Sequence, residues 1–165
     1  MSNIKKIVFT SLLISLSIVI PMAFGFLAIQ IGPFSATLAA HVPLFISMFL
    51  GPEASAIVGV GSCVGFLMTK GSYIAARAFM HTFVGAIGGY MLKNGIKYKK
   101  VVFITAPIHG VLEALAVIPF GISLDKILIT VGIGSLLHHT IDGFIALYVI
   151  KILLKTVFLN LVNEK

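Results

Sequence analysis

Long apolar runs, each interrupted by only a few polar residues, fill this chain from end to end. A run of about 20 such residues is what a helix needs to cross a bilayer, where water cannot satisfy an exposed backbone. The 165 residues are 59% hydrophobic and only 10% charged, with a mean hydropathy of +1.13. A soluble domain keeps about a quarter of its residues charged, so the composition excludes one, along with a disordered chain, a nucleic-acid-binding module and a secreted disulfide scaffold. The expected fold is an all-α integral membrane bundle of six transmembrane helices, forming one transmembrane domain over residues 1–165. Whatever chemistry exists then lies inside the bundle.

The expected spans are 7–29, 37–50, 54–69, 73–92, 101–120 and 127–154. Between the first two runs lies a Gly/Pro-punctuated loop from Gln30 to Ser35, and Gly51-Pro52-Glu53 makes a tight turn before the third. The second and third runs are short, which fits low tilt, a partly re-entrant path or ordered caps equally well. The first run is long for a signal peptide; cleavage near Ala23 and Gly25 is the alternative to a retained span. No Trp is present, so Tyr73, Tyr90 and Tyr98 would mark the interface. The single Cys63 reads as a small packing residue.

Six spans put both termini on one side, and lysine placement selects which. Lys5, Lys6, Lys93, Lys97, Lys99, Lys100, Lys151, Lys155 and Lys165 fall on that side, against Lys70 and Lys126 on the other. The bias predicts cytoplasmic termini in a prokaryotic plasma membrane. The net charge of +7 is therefore an orientation signal, and the Lys93–Lys100 group meets anionic lipid headgroups. Small residues recur at helix-contact spacing in Ser11/Ser15, Gly61/Gly65 and Gly85/Gly89. The glycine pairs read as packing within the bundle; the serine pair reads as packing or as an exposed docking face.

Ionisable groups are costly at bilayer depth, and their presence calls for a partner or a purpose. Here they cluster: His41 in the second run, Arg77 and His81 in the fourth, His109 and Glu113 in the fifth, His138, His139 and Asp142 in the sixth. Arg77/His81, His109/Glu113 and His138/Asp142 share an i, i+4 spacing, which stacks two polar groups on one helix face. Rise per residue places most of them roughly 6 to 17 Å below the outer surface, which suggests one cavity opening outward. His109/Glu113 and His138/Asp142 read either as intrahelical pairs that rigidify the bundle or as site residues. Arg77 has no acid one turn away, so its charge needs Glu113, Asp142, an incoming anion or an escape to the surface.

Other chemistries find less support. No His-Glu-x-x-His motif is present, and adjacent His138 and His139 point about 100° apart on a helix, so no metal and no cofactor is expected. A nucleophile motif is absent, and Gly59, Gly61 and Gly65 lack the Gly-Lys-Ser/Thr ending of a phosphate loop. The chain is expected not to be an enzyme and to carry no ATPase motif of its own.

The segments from His41-Val42-Pro43-Leu44-Phe45-Ile46 through Leu50-Gly51-Pro52-Glu53-Ala54-Ser55-Ala56 to Val60-Gly61, with Ala76-Arg77-Ala78 and His81, resemble the substrate-binding S components of energy-coupling factor vitamin transporters. The resemblance implies a vitamin site near the outer face, a lid formed by residues 30–36, and partnership with a transmembrane coupling protein and two ATPases. A small-xxx-small pair on the first helix of that family, usually alanines, docks the coupling protein, and Ser11 and Ser15 occupy that spacing. The Arg/His-rich set looks most like the niacin-specific type, with a nicotinate carboxylate on Arg77 and its ring among His41, His81 and His109. The implied substrate site comprises Arg77, His41, His81, His109, Glu113, His138 and Asp142. The rival reading is an autonomous proton-coupled carrier in which His138, Asp142, His109 and Glu113 relay protons, with a membrane-embedded metal enzyme third.

Overall fold

A computed structural model describes residues 2–153, so Leu154, Lys155 and Lys165 lie outside the described residues. The chain is mainly helical: α1 (Asn3–Ala23), α2 (Val42–Ser47), α3 (Pro52–Lys70), α4 (Ser72–Phe79), α5 (His81–Lys93), α6 (Tyr98–Ala116), α7 (Leu124–Lys126) and α8 (Gly134–Leu153). Among the described residues, four stretches are long and apolar enough to cross a membrane, namely Asn3–Ala23, Pro52–Lys70, Tyr98–Phe120 and Leu124–Leu153. The all-α expectation needs one amendment. Residues Ala28–Ile31 (β1) and Phe34–Thr37 (β2) pair antiparallel, with Ile31 opposite Phe34 across a Gly32-Pro33 turn. The first helix accordingly stops at Ala23, six residues short of the expected end.

The second and fourth runs also differ from continuous spans. The second forms only the six residues of α2 and a 3₁₀ turn, Met48–Leu50. Six helical residues rise about 9 Å, far less than a bilayer core. The fourth run breaks at Met80, between α4 and α5. There α3 presses closest: a Cβ added at Gly59 would overlap the backbone of His81 and Thr82. Ahead of α8 the chain takes a seven-residue π-helix, Ile127–Ile133, a wide turn of the kind that often re-aims functional side chains.

Glycines set the helix spacings. Cβ atoms at Gly61 and Gly65 would lie 2.8 Å from Ser17 Oγ and from Ile18 Cα of α1, and at Gly85 2.8 Å from the Ser55 carbonyl. These pairs therefore pack α3 against α1 and against α5, as small residues do where van der Waals contact drives association. Gly110 comes equally close to the carbonyl of Gly132, drawing α6 onto the π-helix. The apolar core is centred on Phe45, Leu44, Met48, Val58, Val84 and Val101. By contrast α1 buries only Leu13, Ser17 and Pro21, and Ile4, Ile7, Val8, Leu12, Leu16 and Val19 face outward, as on a helix in lipid or against another protein.

Candidate functional site

Next to this core the bundle holds a polar one. His41, Arg77, His81, His109, Glu113 and Asp142 are all buried and His138 nearly so, and the elements carrying them converge from five parts of the chain. Two carboxylates divide the cluster into two halves that are wired differently.

Asp142, on α8, anchors the crossing from the hairpin into α2. Its Oδ1 accepts from the backbone N–H of Ala39 at 2.8 Å, and Oδ2 accepts from the His41 N–H at 3.0 Å. Ala39 takes φ +68°, a left-handed conformation that is unfavourable for a residue with a Cβ, and the carboxylate holds that turn closed. The His41 side chain donates Nδ1–H to the same oxygen at 3.0 Å, and His138 Nε2 lies 3.1 Å away. A carboxylate only accepts, so His41 carries its proton on Nδ1 and presents a bare Nε2. That atom sits 2.9 Å from His81 Nε2, and His81 Nδ1 sits 2.9 Å from the Ser62 hydroxyl. Each link then has one donor: Ser62 O–H to His81, His81 Nε2–H to His41, His41 Nδ1–H to Asp142.

Glu113, on α6, faces Arg77. The guanidinium donates from Nε at 3.1 Å and from Nη2 at 2.8 Å, both to Oε2, and Nη2 also reaches the Ser135 hydroxyl at 3.4 Å. Ser135 itself donates to Glu113 Oε2. The second oxygen, Oε1, has only imidazoles near it: His109 Nε2 at 3.3 Å and His81 Nε2 at 3.8 Å. This half is incomplete among the described residues. Arg77 Nη1 and both ring nitrogens of His109 are buried with no hydrogen-bond partner. Buried polar atoms are nearly always satisfied, so such orphans call for a further partner, whether water or a bound group.

Of the three i, i+4 pairs foreseen in the sequence, His109 with Glu113 and His138 with Asp142 form and are tied into contacts with other helices, whereas Arg77 and His81 fall on separate helices, α4 and α5, across the break at Met80. Two partners carry no signal along the chain: Ser62 and Ser135 are small hydroxyls in apolar helices. His139 belongs to the ionisable cluster read from the sequence but, about 100° from His138 on the helix, falls outside the implied site. Its ring is fully buried 5.7 Å from that of His41 and 5.0 Å from that of His109, with Nε2 bonded to Thr105. The start of α2 lies across α8, so His41 meets both neighbouring positions.

The two halves line one small cavity with Ser35, Ala36, Thr37, Phe66 and Ile74. Its volume is about 20 Å³, room for one water and too little for a vitamin. The hairpin forms one wall. Phe34 lies 5.3 Å from the Arg77 guanidinium and rests on Gly134, where a Cβ would come within 2.6 Å of its ring. The Tyr73 hydroxyl donates to the Pro33 carbonyl at 2.8 Å, and His138 Nε2 reaches the Thr37 carbonyl at 3.0 Å. The expected docking residues Ser11 and Ser15 lie far from this site, exposed on the outer face of α1 and linked by a Ser15 hydroxyl bond to the Ser11 carbonyl.

Among curated proteins, the chain is similar to the niacin transporter NiaX of Lactococcus lactis subsp. cremoris, with 33% identity over 188 residues that cover 99% of this chain and 84% of the relative. No family model matches the chain, and no solved structure matches it.

Proposed function

Since the chain belongs to the family of that niacin transporter, we propose that it is the substrate-binding subunit of a vitamin importer of the energy-coupling factor type, with nicotinate as its ligand. It is a multi-pass membrane protein with its polar groups gathered in one buried site. The observation that carries the ligand assignment is Arg77: buried, lining the cavity, and left with Nη1 unpartnered after its bonds to Glu113. A planar guanidinium binds a carboxylate through paired N–H bonds, and the imidazoles of His41, His81 and His109 offer edges and faces to a pyridine ring. Arg77 and Glu113 already balance each other's charge, so the arriving nicotinate anion is accommodated by a proton taken up at Glu113 or at one of the histidines.

A ligand of that size enters only if the wall formed by residues 28–37 swings away. The hairpin is the lid, with Phe34 leaving the guanidinium as the carboxylate arrives. A cytoplasmic N-terminus, as the lysine bias favours, followed by α1 as the first crossing, places the hairpin on the outer side. Delivery into the cell is then driven by a transmembrane coupling protein and two ATPases, docked on the exposed face of α1 that carries Ser11 and Ser15. Calorimetric titration of the purified protein with a panel of vitamins tests the binding role. Stoichiometric binding of nicotinate is expected; no binding of any carboxylate vitamin would overturn it.

A second reading has one observation in its favour. Ser62, His81, His41 and Asp142 form a continuous hydrogen-bonded chain that could move a proton through the bundle. Liposomes holding the protein alone separate the two. The subunit reading predicts no uptake under a proton gradient; proton-driven accumulation of nicotinate would establish an autonomous carrier.

A further inference from the structure

We infer that His41, His81 and His109, with Glu113 adjoining them, form a binding site for one divalent transition-metal ion beside the cavity. One ring nitrogen from each histidine falls within 4.8 Å of the others, and all three side chains are buried. A tetrahedral ion with ligands at about 2.0–2.1 Å sets its donor atoms about 3.3–3.4 Å apart. His41 Nε2 and His81 Nε2 are 2.9 Å apart, His109 Nε2 is 3.3 Å from Glu113 Oε1, and His81 Nε2 is 3.8 Å from it. These three edges need shifts of about 0.5 Å or less to match, and the remaining histidine–histidine edges, each within 4.8 Å, close by at most about 1.5 Å.

Two of the three imidazoles have the form that metal ligands favour, in which the nitrogen away from the ion is held by an outer partner. Asp142 holds His41 Nδ1, and Ser62 holds His81 Nδ1. Ser62 can serve both states: its hydroxyl donates to His81 without metal and turns to accept once the His81 proton moves from Nε2 to Nδ1. No proton is released in that exchange. Arg77 pins the other Glu113 oxygen and leaves Oε1 to the ion. His109 is the independent sign of a missing partner: its ring is fully buried, Nδ1 has no hydrogen-bond partner, and Nε2 has Glu113 Oε1 at 3.3 Å in a geometry too poor for a hydrogen bond. Three imidazoles and one carboxylate suit zinc, nickel or cobalt and not a hard cation such as magnesium. Along the chain no motif announces the set, because its ligands come from the start of α2, from α5 and from α6.

The site shares residues with the proposed nicotinate pocket, so the test uses the metal alone. Untagged protein, stripped with a chelator and exchanged into detergent, is titrated with Co²⁺. The inference predicts one equivalent per chain with the strong visible absorption of four-coordinate Co²⁺, displaced by Zn²⁺. Cys63→Ser leaves the spectrum unchanged, which excludes the thiol, whereas His109→Gln abolishes it while melting as a folded protein. Ser62→Ala weakens Co²⁺ binding by about 10-fold, the usual loss when an outer partner is removed. Weak octahedral absorption only, or four-coordinate binding that survives both His109→Gln and His41→Gln, overturns the site. Nicotinate titrated into the same chelator-treated protein separates the two readings. Nicotinate bound with no cobalt site refutes the metal and keeps the transporter; a cobalt site without nicotinate binding does the reverse.

Discussion

Asp142 and Glu113 are both buried carboxylates among histidines, yet they have opposite degrees of completion. Asp142 collects two backbone N–H groups and two imidazoles, and every one of these contacts closes part of the fold around Ala39 and His41. Glu113 meets one guanidinium and one hydroxyl on Oε2, while unpartnered atoms of Arg77 and His109 stand nearby. A saturated acid rigidifies its surroundings. An acid that leaves its cation partly unpaired keeps capacity for a guest, and burial makes that capacity worth more than it would be in water. Under the proposed function, architecture falls to Asp142 and binding to Glu113.

The contrast can be broken most directly at Asp142. Asp142→Ala strands several buried donors and releases the left-handed turn at Ala39, a loss on the order of 3–5 kcal/mol that no ligand should repair. Thermal melting in detergent should show a large drop that saturating nicotinate leaves unchanged; rescue by nicotinate would remove the distinction. Glu113→Gln also leaves a charge uncompensated and lowers the melting temperature, but here the ligand carboxylate can replace the lost partner. The nicotinate-induced rise in melting temperature should therefore exceed that of the unaltered protein, and an equal or smaller rise would count against Glu113 as part of the binding half.

These two acids also mark how far the sequence could be read. Their presence in apolar runs, with Arg77 and the histidines, is visible because ionisable groups in lipid are expensive and therefore purposeful. The division of labour was not visible, since it depends on the backbone of Ala39 and His41 approaching α8 from about 100 residues away in sequence. The hairpin was hidden for a local reason: Ala28 to Thr37 reads as the end of one run, a Gly/Pro-punctuated loop around Gly32-Pro33 and the start of the next run, with too few residues on either side to show a strand alternation. The break at Met80 has no Gly or Pro at the break itself, its closest packing partner being Gly59 on another helix. The glycine pairs were legible because their spacing alone prescribes a flat helix face.

Two smaller effects sharpen the picture. Tyr73→Phe removes the hydroxyl that ties α4 to the hairpin turn, worth about 0.5–1.5 kcal/mol. Stopped-flow measurements should find faster nicotinate release with little change in melting temperature; unaltered release would mean that the hairpin is not the lid. Ser11→Leu with Ser15→Leu, on the exposed face of α1, should leave both melting and nicotinate binding as they were and weaken assembly with the coupling protein in pull-down. Undiminished assembly would place the docking surface elsewhere.

The central claim is that Arg77 reads the ligand's carboxylate, and calorimetry of Arg77→Gln against nicotinate and nicotinamide tests it. Loss of the guanidinium should cost nicotinate at least 100-fold in affinity, about 2.7 kcal/mol, and nicotinamide far less. Equal losses for the acid and the amide would contradict the account and make Arg77 a structural partner of Glu113 alone.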